Sequence, residues 1–179
     1  MSEILHIHKL DAARRQLQTA ITLWFADGDP IAIHTLSFAA YEIIHVVSKK
    51  RGRTTGLMFD SEVFKDKQER NEINLLMKSA PNFFKHAKED FDATIEFDPR
   101  SNEILITFAL IGLDLAGEKP LPHESAFLAW TRINRPHRLA DKALHLFAQT
   151  FPAEHLERAQ RIPKDEFLER IMQIIMEGK

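Results

Sequence analysis

The sequence contains no cysteine among its 179 residues. This absence excludes a disulfide framework, a thiolate nucleophile and every zinc site with cysteine ligands, so no disulfide partner is expected. Tyrosine occurs once and tryptophan twice, whereas phenylalanine occurs 13 times. The aromatic residues therefore predict a core of large apolar rings that carry few polar groups.

The chain also has no large excess of positive or negative charge, since the formal net charge is −2 at pH 7. The chain lacks the global basic field of most nucleic-acid-binding proteins, and a contact with RNA would need a local basic patch. The N-terminal residues do not combine a basic segment with an apolar core of signal-peptide length. The most apolar run, Ile104 to Leu115, is too short to cross a bilayer and contains Asp114. These features predict a cytoplasmic protein with no membrane-spanning segment.

Apolar residues recur at helical spacing along most of the chain, which predicts an all-α irregular bundle. We interpret residues 1–179 as a single domain with a core at about 10–116 and additional C-terminal helices at about 123–177. Helices are predicted at about 10–24, 30–50, 102–116, 123–134, 136–151, 153–161 and 164–177, with another starting at Asp60 or Ser61. Asp29 is expected to cap the second helix, with Pro30 at its first position.

The segment 93–108 allows two interpretations. Polar and apolar residues alternate from Thr94 to Phe97, and turn residues and a β-branched run follow. This pattern is compatible with a hairpin. The apolar run continues to Leu115, however, and a strand of that length would be unusual. We therefore favour a buried helix from about Asn102 to Ala116.

The segment Pro81 to Asp90, PNFFKHAKED, places polar and titratable residues beside aromatic rings. It is predicted to open a helix, with Asn82, His86 and Asp90 on one face. Pro81 is expected either to end the preceding helix or to kink it into this one. Phe83, Phe84, Ala87 and Phe91 are expected to form the buried side. His86 is a candidate general base and Lys85 a candidate contact for an anionic substrate. An ordinary helix start capped by Asn82, with a solvent-exposed His86, is the alternative.

The second helix contains a further group of candidate ligands. His34, Tyr41 and His45 lie along one stripe, and Glu42 and His45 form a Glu-x-x-His pair. Helical bundles use that spacing for di-iron or di-manganese sites, but they need a second such pair, which this sequence lacks. A divalent metal held by His34, Glu42, His45 and His86 is therefore the alternative to the expectation of no cofactor. Partly buried, hydrogen-bonded histidines are the simpler interpretation.

The most basic short segment is 132–138, which reads RINRPHR. Arg132 and Arg135 are candidates for binding phosphate groups. Charge runs of this kind are more often solvated helix ends.

Four features in order resemble the HEPN superfamily of small all-α domains. A first amphipathic helix precedes an Asp-Gly-Asp-Pro break at 27–30, and an Ala-rich second helix carries Glu42 in FAAYE. A polar segment then leads to the Asn-x-x-x-His pattern of Asn82 and His86. The resemblance covers about residues 10–92, and Pro81 stands where the family motif has arginine.

The resemblance implies a homodimer that forms through the first helices and binds RNA or a nucleotide in a toxin- or defence-like system. It implies His86 as acid–base residue and Asn82 as its polar neighbour, in a pocket with Tyr41, Glu42 and His45. Because the motif arginine is missing, we expect a non-catalytic or degenerate binding or regulatory module. A metal-independent ribonuclease-like enzyme, the metal-dependent enzyme and a purely structural dimerisation protein are the alternatives.

Overall fold

The computed structural model describes residues 4–53, 67–87, 91–136 and 153–177. Within these residues all regular secondary structure is helical, which confirms the predicted all-α bundle. The helices are α1 (Lys9–Phe25), α2 (Pro30–Lys50), α3 (Lys67–Lys85), α4 (Ser101–Leu115), α5 (Pro122–Asn134), α6 (Ala153–Gln160) and α7 (Lys164–Glu177). The predicted helix start at Asp60 or Ser61, the helix at 136–151 and Asp90 lie outside the described residues.

The break between α1 and α2 follows from local chemistry. Asp27 has a positive φ of 47°, a conformation that short polar side chains tolerate. The Asp29 side chain then accepts a hydrogen bond of 2.8 Å from the Ala32 backbone N–H, and Pro30 occupies the first turn of α2. The predicted N-cap is confirmed, and it sets where the longest described helix starts.

Helices α2 and α4 pack together and run in the same direction. At their first turns, Asn102 Nδ2 donates to the Pro30 carbonyl at 2.9 Å. Near their ends, Ser48 Oγ donates to the Gly112 carbonyl at 2.8 Å. Around these polar contacts the two helices bury an apolar core of Ile33, Phe38, Ala40, Ile44, Leu105, Ile106, Ala109, Leu110 and Leu113. The polar contacts at either end of the interface define the register of α2 against α4.

Both helices end in the same capping motif. In α2, Gly52 has φ +76°, Arg53 N donates to Ser48 O and Gly52 N to Lys49 O, both at 3.0 Å. In α4, Gly117 has φ +81°, and Glu118 N donates to the Leu113 carbonyl at 3.0 Å. These are Schellman caps, in which glycine takes the left-handed conformation without strain. The two C-terminal ends lie together, because Arg53 Nη1 donates to the Leu115 carbonyl at 2.9 Å.

Of the two alternatives for Pro81, an end of the preceding helix was wrong, and the structure shows a helix that continues through the proline. Helix α3 runs through Pro81 and ends at Lys85, so Asn82 is an internal residue and not a cap. A proline this late in a helix removes one backbone hydrogen bond, but Pro81 is buried and Phe84 packs on the His34 ring. Tertiary packing therefore favours the continued helix over the local break. Ala87 and Phe91, which were expected to be buried, are exposed, Phe91 with 80% of its surface.

The hairpin alternative for 93–108 was also wrong. Residues 93–98 form no strand, and α4 begins at Ser101 as the favoured interpretation required. Ser101 Oγ donates to the Asp98 carbonyl at 2.7 Å, and Arg100 pairs with the Asp98 carboxylate at 2.7 Å. The guanidinium of Arg100 lowers the pKa of Asp98 through hydrogen bonds. The turn residues thus lead into a helix because Leu105, Ile106, Ala109 and Leu110 bury themselves against α2.

The chain packs as two compact units, with a boundary at Lys119–Pro120 in the linker after α4. The first unit holds α2, α3, α4 and α1 up to Trp24. The second holds α5, α6, α7 and Phe25–Asp27. In it, the Phe25 ring stacks on Phe167 (6.3 Å between centroids) and meets Phe127 edge-on at 6.4 Å.

Among the described residues, α2 is the one helix long and apolar enough to cross a membrane by length and composition. Helices at the core of a protein meet the same criterion, and 44% of the most apolar stretch of α2 is buried inside the protein.

Candidate functional site

His34 is the most enclosed histidine that the structure describes, with 2% of its surface exposed. Its Nδ1 lies 2.8 Å from Asn102 Oδ1. The Asn102 amide nitrogen donates to the Pro30 carbonyl, so Oδ1 is the acceptor toward His34. Nδ1 therefore carries the proton, and Nε2 holds a lone pair.

Aromatic rings surround the His34 imidazole. Phe84 at the end of α3 lies 5.9 Å away and Phe97, before α4, lies 5.0 Å away, both edge-to-face. Nε2 is buried and has no hydrogen-bond partner. Burial lowers the pKa of His34, the hydrogen bond with Asn102 opposes this, and the charge of Lys85 lowers the pKa further. His34 is thus a neutral core histidine that joins α2 to α3 and α4.

Tyr41 and His45 form a second buried pair on α2. The Tyr41 hydroxyl lies 3.5 Å from His45 Nδ1, and the two rings are tilted at 56°. Glu42, the carboxylate of the Glu-x-x-His pair, is exposed. The structure therefore joins His45 to Tyr41 inside the protein and places Glu42 in solvent.

The α3-end surface consists of Asn82, Lys85 and His86, which are all exposed. The His86 backbone N–H donates to the Asn82 carbonyl at 3.0 Å, so the last turn of α3 holds these two residues together. Lys85 Nζ lies 5.3 Å from the centroid of the Phe38 ring, a cation–π distance. Beside them, Phe83 and Phe84 are half-buried and pack edge-to-face at 6.1 Å.

The expected pocket thus divides into two parts. Tyr41 and His45 are buried, whereas Glu42 and the α3-end surface are exposed. Among the described residues, the His86 side chain has no hydrogen bond, ion pair or ring contact that would tie it to His45. The chemistry available at the α3-end surface is hydrogen bonding by an amide and an imidazole beside aromatic rings.

The alternative metal site is not assembled in the part of the chain that the structure describes. No group of three or more His, Asp or Glu residues there could hold a metal ion. His34 and His45 each use Nδ1 inside the core, while Glu42 and His86 are exposed. The four residues therefore do not converge.

The basic candidates near residue 132 belong to the second unit. Arg132 is exposed at the end of α5. Arg135 lies over the Trp130 ring at 5.2 Å and donates to the Asn134 carbonyl at 3.2 Å. Stacking of this kind restricts the Arg135 guanidinium, while Arg132 remains a surface charge.

Sequence reasoning missed Asn102 as the partner of His34 and gave it only as the start of a buried helix. It is 2% exposed and holds both the His34 ring and the start of α2. One sequence signal was available, because an amide at the first turn of an otherwise apolar helix has to find partners once that helix is buried.

Comparisons with protein-family models, with curated proteins and with solved structures found no match.

Proposed function

We propose that this chain is a HEPN-like, non-catalytic module that binds RNA or a nucleotide through the α3-end surface. The observation that carries the proposal is the exposure of Asn82, Lys85 and His86 on one helical turn. An amide and an imidazole can read base edges, and a cation beside aromatic rings is typical of single-strand binding surfaces.

Three features favour binding over cleavage. Pro81 is buried where the resembling family has a phosphate-contacting arginine. The α3-end surface lies at the C-terminal end of its helix, where the dipole disfavours a phosphate anion. His86 has no described carboxylate or arginine partner to orient it as an acid or base. Base contacts, which need no anion at this position, therefore fit better than phosphate chemistry.

Replacing Asn82 and His86 together tests the proposal. We expect Asn82→Ala/His86→Ala at pH 8 to weaken binding of a labelled single-stranded RNA about tenfold. Two lost hydrogen bonds contribute about 1–2 kcal/mol, and the Lys85 side chain stays in place. Fluorescence anisotropy measures the affinity, and a denaturing gel of the same RNA should show no cleavage by the unchanged protein.

Gln173→Ala/His155→Ala is the matched control, because it removes an exposed amide and an exposed imidazole from α7 and α6. It should bind RNA as tightly as the unchanged protein. Equal affinity of Asn82→Ala/His86→Ala and the unchanged protein would contradict the proposed surface. RNA cleavage that disappears in His86→Ala would instead establish an enzyme.

The proposed module is a homodimer that associates through its first helices, and α2 is the better candidate surface. The exposed residues of α1 include the polar Asp11, Arg15, Thr19 and Thr22, whereas α2 exposes Ile31 and Val46. We expect Ile31→Glu/Val46→Glu to convert the dimer to a monomer in light scattering coupled to size exclusion. Ile174→Glu/Met176→Glu, at similarly exposed apolar positions of α7, should stay dimeric. If the unchanged protein is a monomer at all concentrations, the proposed homodimer is wrong.

A further inference from the structure

The last turn of α3 follows Pro81, and its own backbone holds it weakly. Proline has no backbone N–H, so the hydrogen bond that would join residue 81 to the preceding turn is missing. The residue before a proline is also disfavoured in the helical conformation. Contacts with the rest of the protein therefore decide whether α3 continues past Pro81.

Phe84 makes one of these contacts, and its partner is the His34 imidazole. The two rings meet edge-to-face with 5.9 Å between their centroids. Phe97, in the segment before α4, lies 5.0 Å from the same imidazole and 5.2 Å from the Phe84 ring. We call these three rings, His34, Phe84 and Phe97, the His34 cluster. His34 is 2% exposed and both phenylalanines are half-buried, so the imidazole is the inner member of the cluster.

The His34 cluster fits a neutral imidazole and not an imidazolium. Nδ1 already donates to Asn102, so a second proton would go to Nε2. Nε2 is buried and has no hydrogen-bond partner among the residues that the structure describes, so the new charge would lose its hydration without a compensating bond. The face of a phenylalanine ring attracts a cation, but by less than this loss of hydration costs. Protonation therefore opposes the packing of Phe84 and Phe97 on His34.

Lys85 is the charge that acts on His34 from α3. It lowers the pKa of His34, because a second cation nearby disfavours the imidazolium. In the segment before α4, Arg100 and Asp98 pair with each other at 2.7 Å. The ionisable residues next along these segments are His86 and Glu96, which are exposed, and Glu103, which is buried on α4 with interactions of its own. The charge of Lys85 thus adds to the effect of burial.

We propose that His34 is a pH-sensitive latch: its protonation separates Phe84 and Phe97 from the imidazole, and α3 then ends before Pro81. The end of α3 and the segment before α4 move because their phenylalanines are only half-buried, whereas α2 and α4 share a buried apolar core. Each pH unit below 6.5, the ordinary pKa of histidine, favours the open form up to about tenfold.

The latch would regulate the α3-end surface. Asn82, Lys85 and His86 lie on the turn that opens, so they share one exposed helical turn only while His34 is neutral. This consequence rests on the proposed function: RNA or a nucleotide bound at the α3-end surface is released in acid. The latch itself does not depend on what that surface binds.

The absence of cysteine from the chain allows a direct test with single spin labels. A nitroxide on Asn82→Cys, an exposed position just after Pro81, reports the mobility of the last turn of α3 by electron paramagnetic resonance. As the pH falls from about 8 to about 4.5, we expect its line shape to change from that of an ordered helix to that of an unfolded segment. A nitroxide on Asn71→Cys, an exposed position near the start of α3, should keep its line shape.

Two further substitutions assign the change to the latch. In His34→Asn, whose side chain cannot be protonated, the mobility of the label at position 82 should not depend on pH. In Phe84→Ala, the same label should be mobile already at pH 8, because the ring that holds the turn is missing. Phe91→Ala is the matched control, since it removes a ring that is 80% exposed, and it should keep the pH dependence of the unchanged protein.

The label at position 82 overturns the proposal if its mobility is the same at both ends of the pH range. An equal increase in mobility at position 71 would also overturn it, because the first unit would then unfold as a whole. A pH dependence that persists in His34→Asn would assign the change to another group. The labels report in the absence of RNA, so a failure of RNA binding leaves the latch intact, and a failure of the latch leaves the proposed binding surface intact.

Discussion

Phe25→Ala is expected to destabilise the second unit by about 3–5 kcal/mol. Phe25 is 1% exposed, and its ring contacts two others that are equally enclosed, Phe127 and Phe167. Truncation to alanine removes both ring contacts and leaves a cavity among side chains that cannot fully collapse into it. Chemical unfolding in urea, followed by tryptophan fluorescence, measures the loss, because Trp130 on α5 belongs to the same unit.

A conservative change and a surface change complete this test. Phe25→Leu keeps most of the apolar volume and should cost less than half as much as Phe25→Ala. Ile174→Ala, at a position 63% exposed on α7, should change stability by at most about 0.5 kcal/mol. If Phe25→Ala were as mild as Ile174→Ala, the ring contacts would not support the second unit.

Acidification is expected to destabilise the first unit through His34. Burial keeps the pKa of this imidazole below its ordinary value, which is 6.5 in the unfolded chain. The unfolded state therefore binds more protons, and stability rises with pH in that range. The stability linked to His34 is therefore fully present above pH 6.5. As the pH falls below 6.5, the free energy of unfolding decreases by up to about 1.4 kcal/mol per pH unit.

A substitution isolates this histidine from the other eight. His34→Asn places an amide N–H near the position of Nδ1, so it can still donate to Asn102 Oδ1, and it cannot be protonated. Urea unfolding at pH 5 and pH 8 should show a smaller difference between the two pH values for His34→Asn than for the unchanged protein. The same difference in both proteins would exclude His34 as the group that titrates.

Helix positions were predictable where the spacing of apolar residues and the residues typical of helix ends indicate the same bounds. Asp29, Pro30 and Gly52 bracket α2, and each acts through its own backbone and side chain, so the predicted bounds of α2 match the structure. The favoured helix for α4 was correct for a related reason. Its apolar run is longer than a strand, and the preceding turn residues bind one another locally.

The candidate site was less predictable, because burial decides which polar residues meet. Spacing along α2 grouped His34, Glu42 and His45, yet the structure pairs His34 with Asn102, 68 positions away, and leaves Glu42 in solvent. Local signals at Pro81 left a break and a continued helix both open, whereas the packing of Phe84 on His34 favours continuation of α3. The spacing of residues along the chain likewise did not predict that Arg14, Arg51 and Arg53 lie together around the end of α4.

By itself, then, the sequence determined an all-α protein without cysteine chemistry, and it determined the bounds of α2 and α4. These properties depend on residues within a few turns of each other, through local hydrogen bonds and the regular spacing of apolar residues. The tertiary structure alone decided that His34 is a neutral core residue and that Asn82, Lys85 and His86 share an exposed turn. It also decided that Arg14, Arg51 and Arg53 surround one helix end. Those outcomes depend on which segments, distant in sequence, pack against each other and bury their side chains. The spacing of residues along the chain does not specify that packing.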